Sequence, residues 1–494
     1  MNDETVPTSP EGPQAAPEGR KPIGPVILVF AALLLFAAAG AIRTGGSTRV
    51  RQDTAMLDVM SGDMYLKLSY LMGSLKHPGG GSRVQRRRAL DSYTQAADAS
   101  PSPRALRRIG LLSDNRAAAL TAFARISSPK TTELVAKIDR PTLKREVAMW
   151  RRVYSGARLS PAEAGGYIRF LRRIDAGPAR YIAEERIYRS AGLTAKAETV
   201  RRLATSRYAA HMIAVAVVVS LGALLGLAGV VALIVIAAIP ARSRAFLRLS
   251  DRHTEDSPLQ VSLWLSFLAY LVTFLIASAV GGVISTSAVE HLPWTARANY
   301  IVSVQIGVHA ATVLAALLIL RRLLGLAGGS LGSVGLRSRS PIADVMWGVG
   351  GYALALPLFG IGALFSLLIK LFLPEAPTPP NPALTMLLYA STPAALLGVF
   401  VLAGVIAPLI EETFFRGVLF RALRSRFGVW PGILVSAAAF ALVHPLPAHF
   451  FPIMGLGVSF AVLLQARDSL LPCMVAHGIH NSAIFLLAIL AFRP

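Results

Sequence analysis

This chain of 494 residues has one cysteine, few charges and very few acids. A lone thiol excludes an intramolecular disulfide and any multi-cysteine metal site, and the apolar surroundings of Cys473 make it a small buried hydrophobe rather than a nucleophile. Charged residues make up 16% of the chain against 54% hydrophobic ones, and mean hydropathy is +0.54, which excludes an ordinary soluble enzyme. Acids number 27 against 50 Lys and Arg, leaving a formal charge of +23 carried mostly by arginine. That sign suits anionic lipid or nucleic acid. No nucleic-acid recognition motif is present and the arginines are dispersed, so the bilayer is the expected partner and nucleic acid is not. An H-E-x-x-H zinc motif is also missing.

What is present is a series of apolar runs of bilayer length. Residues 1–21 are rich in Pro, Glu, Ser and Thr and are expected to form a disordered tail. Residues 22–42 follow Arg20 and Lys21 as a membrane anchor helix, long for a cleaved signal, although the small residues Ala37 to Ala41 leave cleavage open. Residues 43–207 show helical periodicity, mixed charge and no bilayer-length run, which predicts a soluble, mainly helical domain. Within it, Ser160, Pro161 and Glu163 form a helix-start signature, while Pro78 to Gly81 and Ser100 to Pro103 are breaks. No catalytic spacing and no fixed repeat period is found there, so the domain reads either as a substrate-recruiting module or as an accessory insert.

Residues 208–382 supply membrane helices of a core and 383–494 a catalytic membrane region. Spans are expected near Ala209–Ile239, Leu259–Ile284, Tyr300–Leu320, Val345–Leu373, Leu397–Leu423, Trp430–Val443, Phe450–Leu464 and Leu470–Ala491. The fold class is therefore an all-α polytopic membrane protein, about eight core helices plus the anchor. Arginines cluster in alternate loops, at 242, 244, 248 and 252, at 321, 322, 337 and 339, at 421, 424 and 426, and at 467; the loops 287–298 and 374–382 carry few. By the positive-inside rule the arginine-rich loops are cytoplasmic and the soluble domain extracytoplasmic. The Arg and Ala bias points to a bacterial cell (inner) membrane.

Polar residues inside these spans carry the chemistry. Glu411 and Glu412 end an apolar run, and an intramembrane acid costs a few kcal/mol or more, so it marks a pathway, a relay or a catalytic site. At i,i+4, Arg416 shares a helical face with Glu412, whereas Glu411 is rotated by about 100°. Glu412 and Arg416 thus read as a buried structural pair, and Glu411 as the reactive group. Phe440 and His444 are also i,i+4, and Pro445 ends the helix at the histidine. His477 and Asn481 repeat the spacing four residues apart on the last span. A Glu and a His can activate water, and a second His with an Asn can face the oxyanion of an attacked carbonyl. Singly, His444 is as readily an interfacial histidine and Asn481 a helix-to-helix hydrogen bond. His449 and His480 flank the pattern, and His309 reads as a satisfied or lining polar residue.

Taken together, E-E-x-x-x-R, F-x-x-x-H and H-x-x-x-N on late membrane helices resemble the CPBP (Abi) family, the intramembrane proteases that include type II CAAX prenyl endopeptidases and bacteriocin-processing or immunity proteins. The resemblance covers roughly Ala383 to Pro494. It implies an endopeptidase in which Glu411, assisted by His444, activates water, His477 and Asn481 stabilise the oxyanion, and Glu412, Arg416 and Phe440 support the site. It implies no obligatory cofactor; family members have also been described as zinc enzymes, in which case Glu411, His444 and His477 would be the ligands. The substrate class it implies is a membrane-anchored protein or peptide precursor. The long domain at 43–207 departs from the family pattern. Alternatives from other classes are a proton-coupled transporter, for which no inverted repeat is detected, and an idle immunity or scaffold protein of the same fold. A serine mechanism through Ser459 and His477 or His480 leaves Glu411, Arg416 and His444 unexplained.

Overall fold

The computed structural model describes residues 24, 26–33, 47–75, 81–128, 140–238, 257–287, 294–372, 386–387, 390, 392–444 and 449–492. The tail at 1–21, most of the anchor, the break at 78–80 and the loops carrying Arg242, Arg244, Arg248 and Arg252 and spanning 374–382 lie outside the described residues. Within the described residues the chain is helical and without strands. It is an all-α polytopic membrane protein.

Between residues 47 and 190 the described helices are α1 (Ser47–Ser74), α2 (Gly81–Ala99), α3 (Pro103–Leu112), α4 (Arg116–Arg125), α5 (Arg140–Val153), α6 (Pro161–Leu171) and α7 (Arg180–Ser190). Local chemistry sets their starts. Ser102 caps α3 with Pro103 in its first turn, and Ser160 and Glu163 close a reciprocal capping box on α6, as the motif predicted. Their apolar faces meet around Leu66, Tyr93, Leu106, Phe123 and Trp150, with the last two rings stacked at 5.0 Å. An ion network crosses this core. Asp63 accepts from Tyr93 at 2.6 Å and from Arg108 at 2.8 Å, and Glu146 accepts from Arg107 at 2.7 Å. At the rim of this network the exposed Asp175 pairs with Arg104 at 2.8 Å and with Arg108 at 3.3 Å.

The next helix, α8 (Thr194–Ala238), is a single 45-residue rod of about 68 Å that begins against α1 and α7 and continues as a candidate membrane span. Neither Pro nor Gly interrupts 194–209, so the expected boundary near 208 falls inside a continuous helix. Then follow α9 (Ser257–Ser287), α10 (Trp294–Leu326), α11 (Pro341–Phe372), α12 (Pro393–Phe427), α13 (Val429–Leu442), α14 (Phe450–Arg467) and α15 (Leu471–Phe492). Among the described residues, seven helices are long and apolar enough to cross a membrane, and α13 is a shorter apolar helix of 14 residues. These eight coincide with the eight spans expected after the anchor.

α12 lies at the centre, packed against α9, α13, α14 and α15. Anchor residues Val26, Val29 and Leu33 join the same core as Trp264, Phe267, Leu320 and Leu419. At one end of the bundle the arginine-bearing segments knit together: Arg421 pairs with Asp468 at 2.6 Å, Arg467 with Asp344 at 2.8 Å, and the Leu470 N–H donates to the Gly335 carbonyl at 2.9 Å. The opposite end of α15 meets the soluble helices, where Lys67 donates to the Ala491 carbonyl at 3.1 Å. The helices of residues 47–190 and the arginine-bearing segments thus lie at opposite ends of the bundle.

Candidate active site

Proline and π-helical geometry shape the helix that carries the two glutamates. Residues 402–406 and 413–420 of α12 form π turns, and the short α segment Ala407–Glu412 lies between them. Pro408 supplies a cause for the first. It has no N–H, and in the π register the carbonyl facing it is that of Ala403. That carbonyl takes a hydrogen bond from the Asn481 side-chain amide at 2.8 Å. Widened turns of this kind occur at functional sites, because they re-aim side chains on an otherwise regular helix.

The two glutamates have different surroundings. Glu412 is fully buried and pairs with Arg416 at 3.2 Å, while the Glu411 side chain keeps 23% of its surface open. Glu412 also accepts a hydrogen bond from His477 Nδ1 at 2.7 Å. A carboxylate only accepts, so Nδ1 carries the hydrogen and Nε2 of a neutral ring presents a lone pair. Nε2 lies 3.8 Å from Glu411 Oε2, too long for a direct hydrogen bond and the separation at which a small bridging group fits. One imidazole therefore spans both carboxylates.

Aromatic rings hold this array. The Arg416 guanidinium lies 4.1 Å from the Phe440 ring centre and 5.4 Å from that of Phe460. Phe460 stacks on His477 at 5.3 Å, and Phe440 meets His477 edge-on at 5.8 Å and His444 at 4.9 Å. Gly457 permits the approach, since a Cβ there would sit 3.0 Å from Ala437 and 3.3 Å from Arg416 Nη2. His444 Nδ1 donates to the Phe440 carbonyl, 2.7 Å away. A carbonyl accepts, so in a neutral His444 ring too Nε2 is the acceptor.

The structure thus gathers Glu411, Glu412, Arg416, Phe440 and His477 into one contact set. His444 joins it through Phe440, and Asn481 stands one turn beyond His477 with one amide hydrogen committed to α12. Phe460 was not anticipated, and neither was Tyr270, which stacks on Phe414 at 4.4 Å and lies close enough to Glu411 to feel its charge. Nothing in the spacing around either residue distinguishes it from core. Among the flanking histidines, His309 bonds the Gln305 carbonyl of its own helix at 2.7 Å, and His480 lies between Tyr352 and Phe359. Ser459 bonds the Gly455 carbonyl of its own helix, which gives no support to a serine nucleophile. Cys473 is buried and donates to the Phe460 carbonyl.

Residues 393–483 match the family described as Rce1-like, type II CAAX prenyl endopeptidase Rce1-like. This stretch is similar to that family. The match runs from the first turn of α12 past Asn481, so it takes in all three motifs of the CAAX-protease-like region and omits the soluble domain. No curated protein and no solved structure matches the chain. A zinc ion would need three protein ligands in tetrahedral reach. Among the described residues no three His, Cys, Asp or Glu side chains form such a group, so Glu411, His444 and His477 do not converge as a zinc set in this arrangement.

Proposed function

We propose that this protein is an intramembrane endopeptidase of glutamate type that hydrolyses a peptide bond in a membrane-anchored protein or peptide precursor. The observation that carries the reading is His477 held by buried Glu412 with its free nitrogen facing the partly open Glu411. In the proposed reaction a water bound between Glu411 and His477 Nε2 gives its proton to Glu411, and the oxygen bonds to the substrate carbonyl carbon. The carbonyl π pair moves to oxygen. The water's second hydrogen stays on that oxygen, hydrogen-bonded to His444 Nε2, and His477, carrying a hydrogen at Nε2 in this step as well as at Nδ1, donates with the remaining amide hydrogen of Asn481 to the oxyanion. When the C–N bond breaks, the proton on Glu411 passes to the leaving nitrogen. No step is assigned to a metal.

Glu411 lies near the middle of the 35-residue α12, so the substrate backbone has to reach it within the bilayer. A substrate with its own membrane anchor meets that requirement, in a bacterial cell membrane with the soluble domain outside. The test compares the termini of membrane-anchored proteins in cells expressing wild type or Glu411→Ala at equal levels. Termini that change only with wild type are expected; identical termini reject the protease. Retained cleavage by metal-stripped wild type supports the glutamate mechanism, and loss restored by zinc rejects it.

A further inference from the structure

The soluble domain has no site of its own among the features above, yet it reaches the helix that bears His477 and Asn481. Lys67 of α1 is fully buried, and its ammonium group donates to the carbonyl of Ala491, in the last turn of α15. The final carbonyls of a helix lack intrahelical partners and carry about half a negative charge, so a cation there is both a cap and a counter-charge. The Tyr208 ring lies 5.7 Å from the same ammonium. Tyr208 in turn meets Tyr70 of α1 and Tyr181 of α7, and α8 packs on both α1 and α15. The lysine is therefore fixed by the soluble core on one side and by the end of the last membrane helix on the other.

We propose that Lys67 is a positioning residue, through which the soluble domain holds α15 and so sets the placement of His477 against Glu411. The inference rests on the proposed protease reading. His477 and Ala491 lie about 21 Å apart along one helix, with Pro472 its only proline and that in the first turn, so a shift at one end is carried to the other as a rigid displacement. A site of this kind tolerates about 0.5 Å of misplacement, and the 3.8 Å spacing between His477 and Glu411 leaves room for one small group only. The charge on Lys67 is held against burial, which pulls its pKa down to about 8, with Arg207 adding to the fall and Asp63 opposing it. The facing groups are Asp63 on α1 and Arg207, Tyr208 and His211 on α8.

The test uses the full chain in bilayers and compares wild type with K67M and K67R by amide hydrogen exchange and by steady-state cleavage of an anchored peptide. K67M is expected to speed exchange over the last two turns of α15 about tenfold and to lower kcat by a similar factor with KM nearly unchanged, and K67R to restore most of both. Unchanged exchange overturns the proposal, and so does faster exchange with unaltered kcat, which would make the contact merely structural. Should K67M fail to fold, wild type alone decides. Residues 63–70 and 486–492 are expected to lose protection together as urea is raised, and separate openings overturn the link. Exchange needs no substrate, so absence of cleavage by wild type would reject the protease while leaving the brace measurable.

Discussion

Glu411 and Glu412 are adjacent in the chain and opposite in environment, one partly open beside an imidazole, the other sealed between a guanidinium and that same imidazole. Replacing Glu412 by Gln leaves the Arg416 cation buried without its counter-charge, a loss of about 3–5 kcal/mol, whereas Glu411→Gln removes no buried pair. Thermal unfolding in detergent should therefore show a large fall for E412Q and little change for E411Q; equal falls would contradict the division of labour. The i,i+4 spacing made the Glu412–Arg416 pair legible in the sequence. The bond from Glu412 to His477 was not, because the partners stand 65 residues apart and only the packing of α15 on α12 joins them. Lys67 is a second residue whose state only the fold reveals. Its folded pKa, about 8, lies below the ordinary 10.5, so between these values the unfolded chain binds more protons and the group's contribution to stability rises with pH. Urea unfolding of wild type and K67M should accordingly diverge in favour of wild type from pH 8 to 10, the buried tyrosines being common to both.

Among the elements, most helices follow from apolar periodicity and from caps such as Ser160 with Glu163, and the seven described helices long enough to span fall where the long apolar runs place them. Two features resist such reading. α8 continues from the soluble domain into the bilayer because nothing in 194–209 stops it, and hydropathy marks only where water ends. The π turns of α12 have no periodic signature, and Pro408 is their one visible sign. Pro408→Ala restores an N–H that competes with Asn481 for the Ala403 carbonyl and lets the turn tighten, rotating Glu411 and Glu412 against the first part of α12. The variant should melt at or above the wild-type temperature while cleaving at least about tenfold more slowly, since small misplacements near a reacting group cost on the order of 100-fold. Unaltered cleavage would show that the widened turn does not set the site.

On the scale of the whole molecule, the loop arginines carry an expected polarity that labelling can test. Loop arginines predict one cytoplasmic end, and the fold gathers Arg421, Arg424 and Arg467 at one end of the bundle through pairs with Asp468, Gln465 and Asp344. The soluble helices stand at the other end, beside Ala491. Long domains cross membranes largely regardless of charge, so the arginines of the soluble domain do not weigh against an outer location. The single native cysteine, Cys473, is buried and bonded, which leaves the wild type silent toward a membrane-impermeant maleimide. A reporter at exposed Ser155, in the soluble domain, should then be labelled in intact spheroplasts as S155C, and one at exposed Ser340, beside Arg339, only after the membrane is opened, as S340C. Labelling in the reverse pattern would invert the protein in the bilayer and place the soluble domain, with its hold on α15, on the cytoplasmic side. Labelling of both in intact spheroplasts would break the assignment of the two ends to opposite sides. The expected pattern also fixes which pool of proteins the soluble domain meets: those whose anchored segments leave the bilayer on the outer face, the face on which Lys67 holds the helix of His477.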